Sequence, residues 1–258
     1  MSWDLDRSEP LISPERVLEY YGQLTGNSES LPLPDLIVGT FQRQAMDRMV
    51  ARIGADDPIR WPTPIFWPLA RGSFQGRDLA VVRLPVGASA AASALELMVA
   101  AGARTVLLVG SAGSLQPHIP VGSLVVATEA LRYEGTSHHY LPKDQPARAS
   151  TELVDALASA ALRVGRAEPI VGTFWTTDAP YRECSATVAH LRSSGVLAVE
   201  MEAAALFAVA THRRVRIALL AAISDQLGSN WAPGFHTLSY RRGLLTAADT
   251  ALAAAATL

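Results

Sequence analysis

Two carboxylates stand one residue apart where the chain changes character. Val196-Leu197-Ala198-Val199 is apolar, Glu200-Met201-Glu202 follows, and residues 203–210 are apolar again. A short apolar run with β-branched residues reads as a buried strand, and the Ala/Leu/Phe run reads as a buried helix. Acids at such a seam are costly unless they are paired or face a polar cavity. In open α/β sheets, ligands bind outside the carboxyl ends of strands. Both glutamates equally suit a helix N-terminus, whose dipole favours negative charge.

Other strand ends carry chemistry-bearing residues too. Asp35 to Val38 reads as a strand and runs into Gly39-Thr40-Phe41-Gln42-Arg43. A glycine there lets the backbone approach a ligand, the helix start attracts anions, and Arg43 offers a fork suited to phosphate. A tight turn with a surface arginine fits the same residues. Thr105 to Val109 ends in a Gly110-Ser111-Ala112-Gly113-Ser114 loop, either an anion-binding nest or a crossover turn. Ile217 to Ile223 ends at Ser224-Asp225. The loop from Trp175 to Glu183 holds two threonines, Tyr181 and Arg182, which suit a planar, hydrogen-bonding ligand or an ordinary solvated loop. His138-His139 is a histidine pair, but no H-E-x-x-H or facial carboxylate set accompanies it, so no metal is assigned.

These residues need a scaffold, and the chain is long enough to supply one. It has 258 residues, 49% hydrophobic and 18% charged, enough for one large α/β core. A net charge of −2 gives no electrostatic case for nucleic acid. The single cysteine, Cys184, excludes an internal disulfide and a cysteine metal cluster. The first ten residues lack the basic and apolar regions of a signal peptide, and no apolar stretch reaches membrane-spanning length, so a cytoplasmic location is expected. Strands and helices alternate from residue 35 onward. The expected fold is one α/β domain, a mixed, mostly parallel central sheet flanked by helices over 35–258, preceded by an arm or lid at 1–34. Residues 52–75 read as irregular, with Trp61, Pro62, Pro64 and Trp67 among them, and a hairpin is expected at Gln75-Gly76-Arg77. Glu96 is the only charge in its small-residue helix and calls for a buried partner. Arg213, Arg214 and Arg216 read as a solvated helix end.

Taken together, V-G-S-A-G-S-L-Q-P-H-I-P-V-G-S-L-V-V (109–126), V-E-M-E-A-A-A-L (199–206) and A-I-S-D (222–225) resemble the nucleoside phosphorylase family. That family holds bacterial purine nucleoside phosphorylase, uridine phosphorylase and methylthioadenosine nucleosidase. The resemblance covers roughly residues 35–228. It implies that Gly39, Arg43 and Ser111 bind phosphate, and that Glu202 holds the ribose hydroxyls with Met201 beneath the sugar and Glu200 in the same motif. It further implies that Asp225 bonds a purine base and, with Glu202, carries the catalysis. Trp175, Tyr181 and Arg182 are the candidates for the rest of the base pocket. No metal or organic cofactor is implied; inorganic phosphate is the cosubstrate and nucleoside the partner. A homo-oligomer built on a dimer, up to a hexamer, is expected by the same resemblance.

Three departures qualify the expectation. The phosphorylases usually carry an arginine two residues before the loop glycine, where this chain has Leu108. Arg132, Arg182 or a neighbouring subunit would then replace it. The nucleosidase branch also lacks that arginine, but its hydrolytic glutamate has no counterpart in G-T-F-Q-R, and Arg43 favours phosphate over water. R-Y-E-G-T-S-H-H-Y-L-P (132–142) looks more like uridine phosphorylase, whereas Ser224-Asp225 looks like the purine enzymes. The expected activity is therefore phosphorolysis of a nucleoside, with a purine base, to free base and pentose 1-phosphate. A phosphate-independent nucleoside hydrolase and a nucleoside-binding protein without turnover are the alternatives.

Overall fold

A computed structural model describes residues 8–25, 33–55, 59–60, 68–165 and 168–258. The expected irregular residues Trp61, Pro62, Pro64 and Trp67 lie outside the described residues. In chain order the elements are α1 (Pro14–Thr25), β1 (Leu36–Thr40), α2 (Arg43–Ile53), β2 (Ile59–Arg60), β3 (Pro68–Phe74), β4 (Arg77–Arg83), α3 (Ala88–Ala100), β5 (Thr105–Ser114) and β6 (Leu124–Tyr133). There follow β7 (Ala147–Arg148), α4 (Thr151–Gly165), β8 (Ile170–Thr177), α5 (Ser185–Ser193), β9 (Ala198–Glu200), α6 (Ala203–Arg213), β10 (Arg216–Leu227), β11 (Trp231–Pro233) and α7 (Leu238–Ala255).

The strands form one mixed sheet in the order β11-β10-β6-β8-β9-β5-β1-β4-β3-β2. Parallel ladders join β4, β1, β5 and β10 in turn, and β6 to β8 to β9. Antiparallel ladders add the β3–β4 hairpin and the β10–β11 edge, and they also join β10 to β6 and β5 to β9. Because β10 pairs with both β5 and β6, the path β5-β10-β6-β8-β9 returns to β5 and closes a ring. The sheet is mixed, as expected, and its antiparallel β10–β6 and β5–β9 contacts are the ones that close the ring.

Side-chain alternation sorts the core onto the two faces of the sheet. On β5, Val106 and Leu108 join a cluster with α3 and α6, while Leu107 and Val109 join one with α2, α4 and α7. The helix α1 lies on α3, its Leu18 is buried in the first cluster, and Leu33 N–H bonds Ala101 C=O. No described residue of 8–25 lines the large cavity. Glu96 finds its partner in Arg213, at 2.6 Å from Nε to Oε2. Arg213 is therefore not a solvated helix end; its charge is what allows Glu96 into the helix–helix seam.

Two local expectations change. The Gly110–Ser114 segment is not a loop, because β10 pairs alongside β5 as far as Ser114 and β9 pairs at Gly113 and Ser114. Gly113 is glycine because strands crowd it from both sides: a Cβ would meet Leu227 Cδ1 at 2.5 Å, Asp225 Oδ2 at 3.2 Å and Val199 Cγ1 at 3.3 Å. The strand β8 continues through Trp175-Thr176-Thr177, which removes those residues from the expected ligand loop.

Gly243 tests how closely α7 is seated. A Cβ there would come to 2.4 Å from the Gly122 carbonyl oxygen and 2.9 Å from its Cα. Alanine gains about 1 kcal/mol in helix propensity, but it would collide with backbone rather than with a flexible side chain. Overpacking of this kind costs about 1–3 kcal/mol. Gly243→Ala is therefore expected to lower the thermal midpoint by several degrees; an unchanged or raised midpoint would show that the helix can move outward freely.

Candidate functional site

Where β1, β5, β9 and β10 end, a cavity of about 680 Å³ opens, bounded also by residues 180–188 and 227–235. That size suits a small organic ligand. Four acids line it, Glu183, Glu200, Glu202 and Asp225, and the lining includes no Lys, Arg or His among the described residues.

The strand-to-helix step from β9 to α6 places the first two acids. The free N–H groups of the α6 start need acceptors. Glu200 Oε2 takes two of them, from Glu202 and Ala203, each at 2.7 Å, and Thr176 Oγ1 takes that of Ala204 at 2.9 Å. The Thr176 hydroxyl in turn donates to Glu200 Oε1 at 2.5 Å. Glu200 is therefore a helix cap on the cavity wall, and its offered sugar role is left with little of the carboxylate to use. Glu202 turns the other way. Its Oε1 accepts the Gly87 N–H at 2.6 Å. Gly87 holds that donor out with φ 101°, a conformation that suits glycine. Burial pushes both carboxyls up from their ordinary value, and the Glu200 charge adds to the shift on Glu202. Glu200 has a hydroxyl and two backbone donors to keep it ionised, so the proton of the pair resides with Glu202. Met201 lines the same wall, half-buried.

Ser111, on β5, accepts from Gln42 Nε2 at 2.9 Å. The Tyr240 hydroxyl lies near the same serine, and burial raises this phenol. Gln42 is the N-cap of α2, and both it and Phe41 line the cavity. Uncapped N–H groups of the first α2 turn thus lie beside a serine hydroxyl and a side-chain amide, a neutral cradle for an anion. Four residues put forward for phosphate are not brought into it. Arg43 is 82% exposed and pairs with Asp47 at 3.6 Å. Gly39 lies within β1, where a Cβ would meet Leu108 Cδ2 at 2.8 Å and Leu84 Cδ1 at 2.9 Å, so its absent side chain serves packing. Arg132 cannot replace the family arginine: its guanidinium is spent on Ser137 Oγ, His138 Nδ1 and the carbonyls of Leu141, Pro142 and Gln145. Arg182 is exposed and does not line the cavity.

The remaining two acids, Asp225 and Glu183, line the same cavity. A bulge in β10 between Ile223 and Asp225 turns Asp225 inward. Its Oδ1 accepts from the Ser224 hydroxyl at 2.6 Å and its Oδ2 from Trp231 Nε1 at 2.8 Å. Glu183 follows a 3₁₀ turn, Pro180–Arg182, and has no side-chain hydrogen bond among the described residues. Burial, with the Asp225 charge second, pushes its carboxyl up to about 7. Tyr181, Trp231 and Val86 are exposed at the cavity mouth, at 99%, 63% and 62%. Trp175 is not a base contact. It is 2% exposed and packs with Leu115, Val188 and Leu191, its ring edge-on to Tyr133 at 5.9 Å.

Sequence reasoning missed Gln42, Glu183 and Trp231 as cavity residues and Gly87 as the donor to Glu202. Gln42 and Glu183 stood inside quoted motifs, beside the arginines chosen instead. The stretch Gly228-Ser229-Asn230-Trp231-Ala232-Pro233-Gly234-Phe235, turn formers with two aromatics after Ser224-Asp225, was the available signal for Trp231.

The sequence model of the phosphorylase superfamily matches residues 37–257. The guanosine phosphorylase of Halorubrum lacusprofundi is 33% identical over 161 residues, 62% of this chain and 66% of that protein. The uridine phosphorylase of Haemophilus influenzae is 30% identical over 166 residues, 59% of this chain and 66% of that protein. The matched part thus spans just under two thirds of these relatives. A solved uridine phosphorylase from Vibrio fischeri, complexed with 6-hydroxy-1-naphthoic acid, shares the fold at TM-score 0.74 and 22% identity, over 88% of this chain and 93% of that one. With a family match running from β1 through the whole of α7, the chain belongs to the phosphorylase superfamily.

Proposed function

We propose that this chain cleaves the N-glycosidic bond of a nucleoside with inorganic phosphate, giving free base and pentose 1-phosphate. The observation that carries this reading is Glu202, a single acid held on the cavity wall by the Gly87 N–H, with an anion cradle and a second acid pair in the same cavity. Ribose hydroxyls donating to Glu202 would favour its ionised form, so it would release its proton on binding, and the carboxylate would orient the sugar and stabilise the cationic ring as the bond breaks. Phosphate would sit on Ser111 Oγ, Gln42 and the first N–H groups of α2. Asp225, already accepting two hydrogen bonds, is an acceptor for a base N–H. Uracil and guanine both present an N–H beside a carbonyl, in keeping with relatives named for uridine and guanosine. We therefore widen the purine reading of Ser224-Asp225 to this lactam class, with uridine first.

That no cation lines the cavity among the described residues supports a second reading, attack by water. For phosphate, the missing charge has two sources: Arg43, whose exposed pair with Asp47 is weak and easily exchanged, or a neighbouring copy in a homo-oligomer. A monomeric mass by light scattering in an active preparation would remove the second source.

Base release from uridine, guanosine, inosine and adenosine, with and without phosphate, separates the readings. The expected outcome is strict phosphate dependence, with uridine or guanosine preferred over adenosine. Equal release without phosphate would make the protein a hydrolase, and preference for adenosine would remove the lactam assignment.

Glu202→Gln is expected to lower kcat/KM about 100-fold or more while raising stability. The sign follows from the raised carboxyl. The native state binds a proton that the unfolded chain has released, so stability is lost as pH rises from the ordinary carboxyl range toward 8. The glutamine variant escapes that loss, by about 1 kcal/mol or more at pH 8 and by nothing near pH 4. A chain of this size then gains about 2–4 °C per kcal/mol. A variant melting below the wild type at pH 8 would mean that the Gly87 contact depends on charge.

A further inference from the structure

Asp225 and Glu183 line one cavity, feel each other's charge and have opposite surroundings. Asp225 is held by two donors, the Ser224 hydroxyl and the Trp231 indole N–H. A carboxylate so held serves as an acceptor. Glu183 is half-buried, meets no side-chain donor among the described residues, and has the Asp225 carboxylate as its charged neighbour. The other titratable groups of the cavity are Glu200 and Glu202 on the β9–α6 step and Tyr181 on its own turn; Arg182, beside it, is exposed and outside the lining. No cation of the lining draws the Glu183 proton away. Two acids in such different surroundings divide the work, one accepting and one donating.

We infer that Glu183 donates the proton to the departing base. This rests on the phosphorolysis proposed above. In the step, the bond from C1′ to the base nitrogen breaks and its electron pair goes to the base. A phosphate oxygen forms the new bond to C1′. The Glu183 carboxylic proton moves to a nitrogen or carbonyl oxygen of the base, which leaves neutral. The carboxylate left on Glu183 regains a proton from the monohydrogen phosphate taken up, so the sum is nucleoside plus phosphate to base plus pentose 1-phosphate. Asp225 acts as the acceptor that holds the base N–H while this occurs. A carboxyl raised to about 7 keeps part of its population protonated around neutral pH, where part of the phosphate is dianionic, so donor and nucleophile coexist there.

The test compares wild type with Glu183→Gln on nucleosides that differ in their need for a proton. The pairs are uridine with 5-fluorouridine and guanosine with 7-methylguanosine, whose base leaves neutral without protonation. The expected result is a loss of about 100-fold in kcat/KM on the parent nucleoside that wild type cleaves, and less than about 10-fold on the activated one. Wild-type activity on the parent should fall as pH rises above 7, and the variant should lose that limb. Activity on the activated nucleoside also establishes that the variant is folded. Equal losses on both members of a pair, or an unchanged parent rate, would overturn the role of Glu183. Absence of phosphate-dependent cleavage by wild type is a different outcome: it would overturn the phosphorolysis on which this inference stands.

Discussion

A carboxylate stays inside a protein only where donors reach it, and the β9–α6 step is built to supply them. Glu200 takes the free N–H groups of the α6 start and the Thr176 hydroxyl, and Glu202 is left with the Gly87 N–H. The division matters for chemistry. Had both acids capped the helix, neither would have had lone pairs for a ligand. Because Glu200 satisfies the helix, Glu202 is spared that task and remains a partly satisfied acid on a cavity wall. The cost is that two negative groups share one buried place, which is why the pair keeps a proton.

The ring of strands makes this arrangement possible. Closure through β5, β10, β6, β8 and β9 brings Val199 and Asp225 to either side of Gly113. The β10 bulge at Ser224 then turns Asp225 toward the cavity, and the short β11 brings Trp231 back to bond it. Glu200 and Asp225 thus sit on two strands that pair with β5, so their spacing is set by backbone ladders.

Much of this was legible from residues 35–258. The strand-to-helix seams at Gly39–Arg43 and Glu200–Glu202 fall where the sequence pattern predicts, because apolar periodicity and acids at a helix start are local signals. What local signals cannot carry is partnership across the sheet. Trp175 looks like a ligand aromatic by its neighbours, yet β8 runs two residues beyond it and turns it into the core. Gly110-Ser111-Ala112-Gly113-Ser114 looks like a loop by composition, yet its glycines admit neighbouring strands and side chains. Arg132 looks like a free cation, and only the folded 137–145 segment shows that every donor is in use. The resemblance identified Glu202, Ser111 and Asp225, all of which line the cavity, and it passed over Glu183, which lies outside the three stretches that carry it.

Leu108 shows why one substitution in a family pattern is seldom alone. Its side chain lies in the first core cluster and reaches the space where a Gly39 side chain would stand. Leu84 presses on the same glycine from the other flank. Gly39, Leu84 and Leu108 therefore form one apolar contact beneath the anion cradle, and a guanidinium at position 108 would have to displace it or bend around it. The cradle above has answered with neutral donors: a serine hydroxyl, a glutamine amide and helix N–H groups. Neutral donors bind an anion without drawing protons from the four acids nearby, whereas a buried arginine would pull the Glu183 and Glu202 carboxyls down. On this argument the loss of the arginine and the raised acids belong together: removing the cation is what lets a carboxyl of this cavity keep its proton near neutral pH.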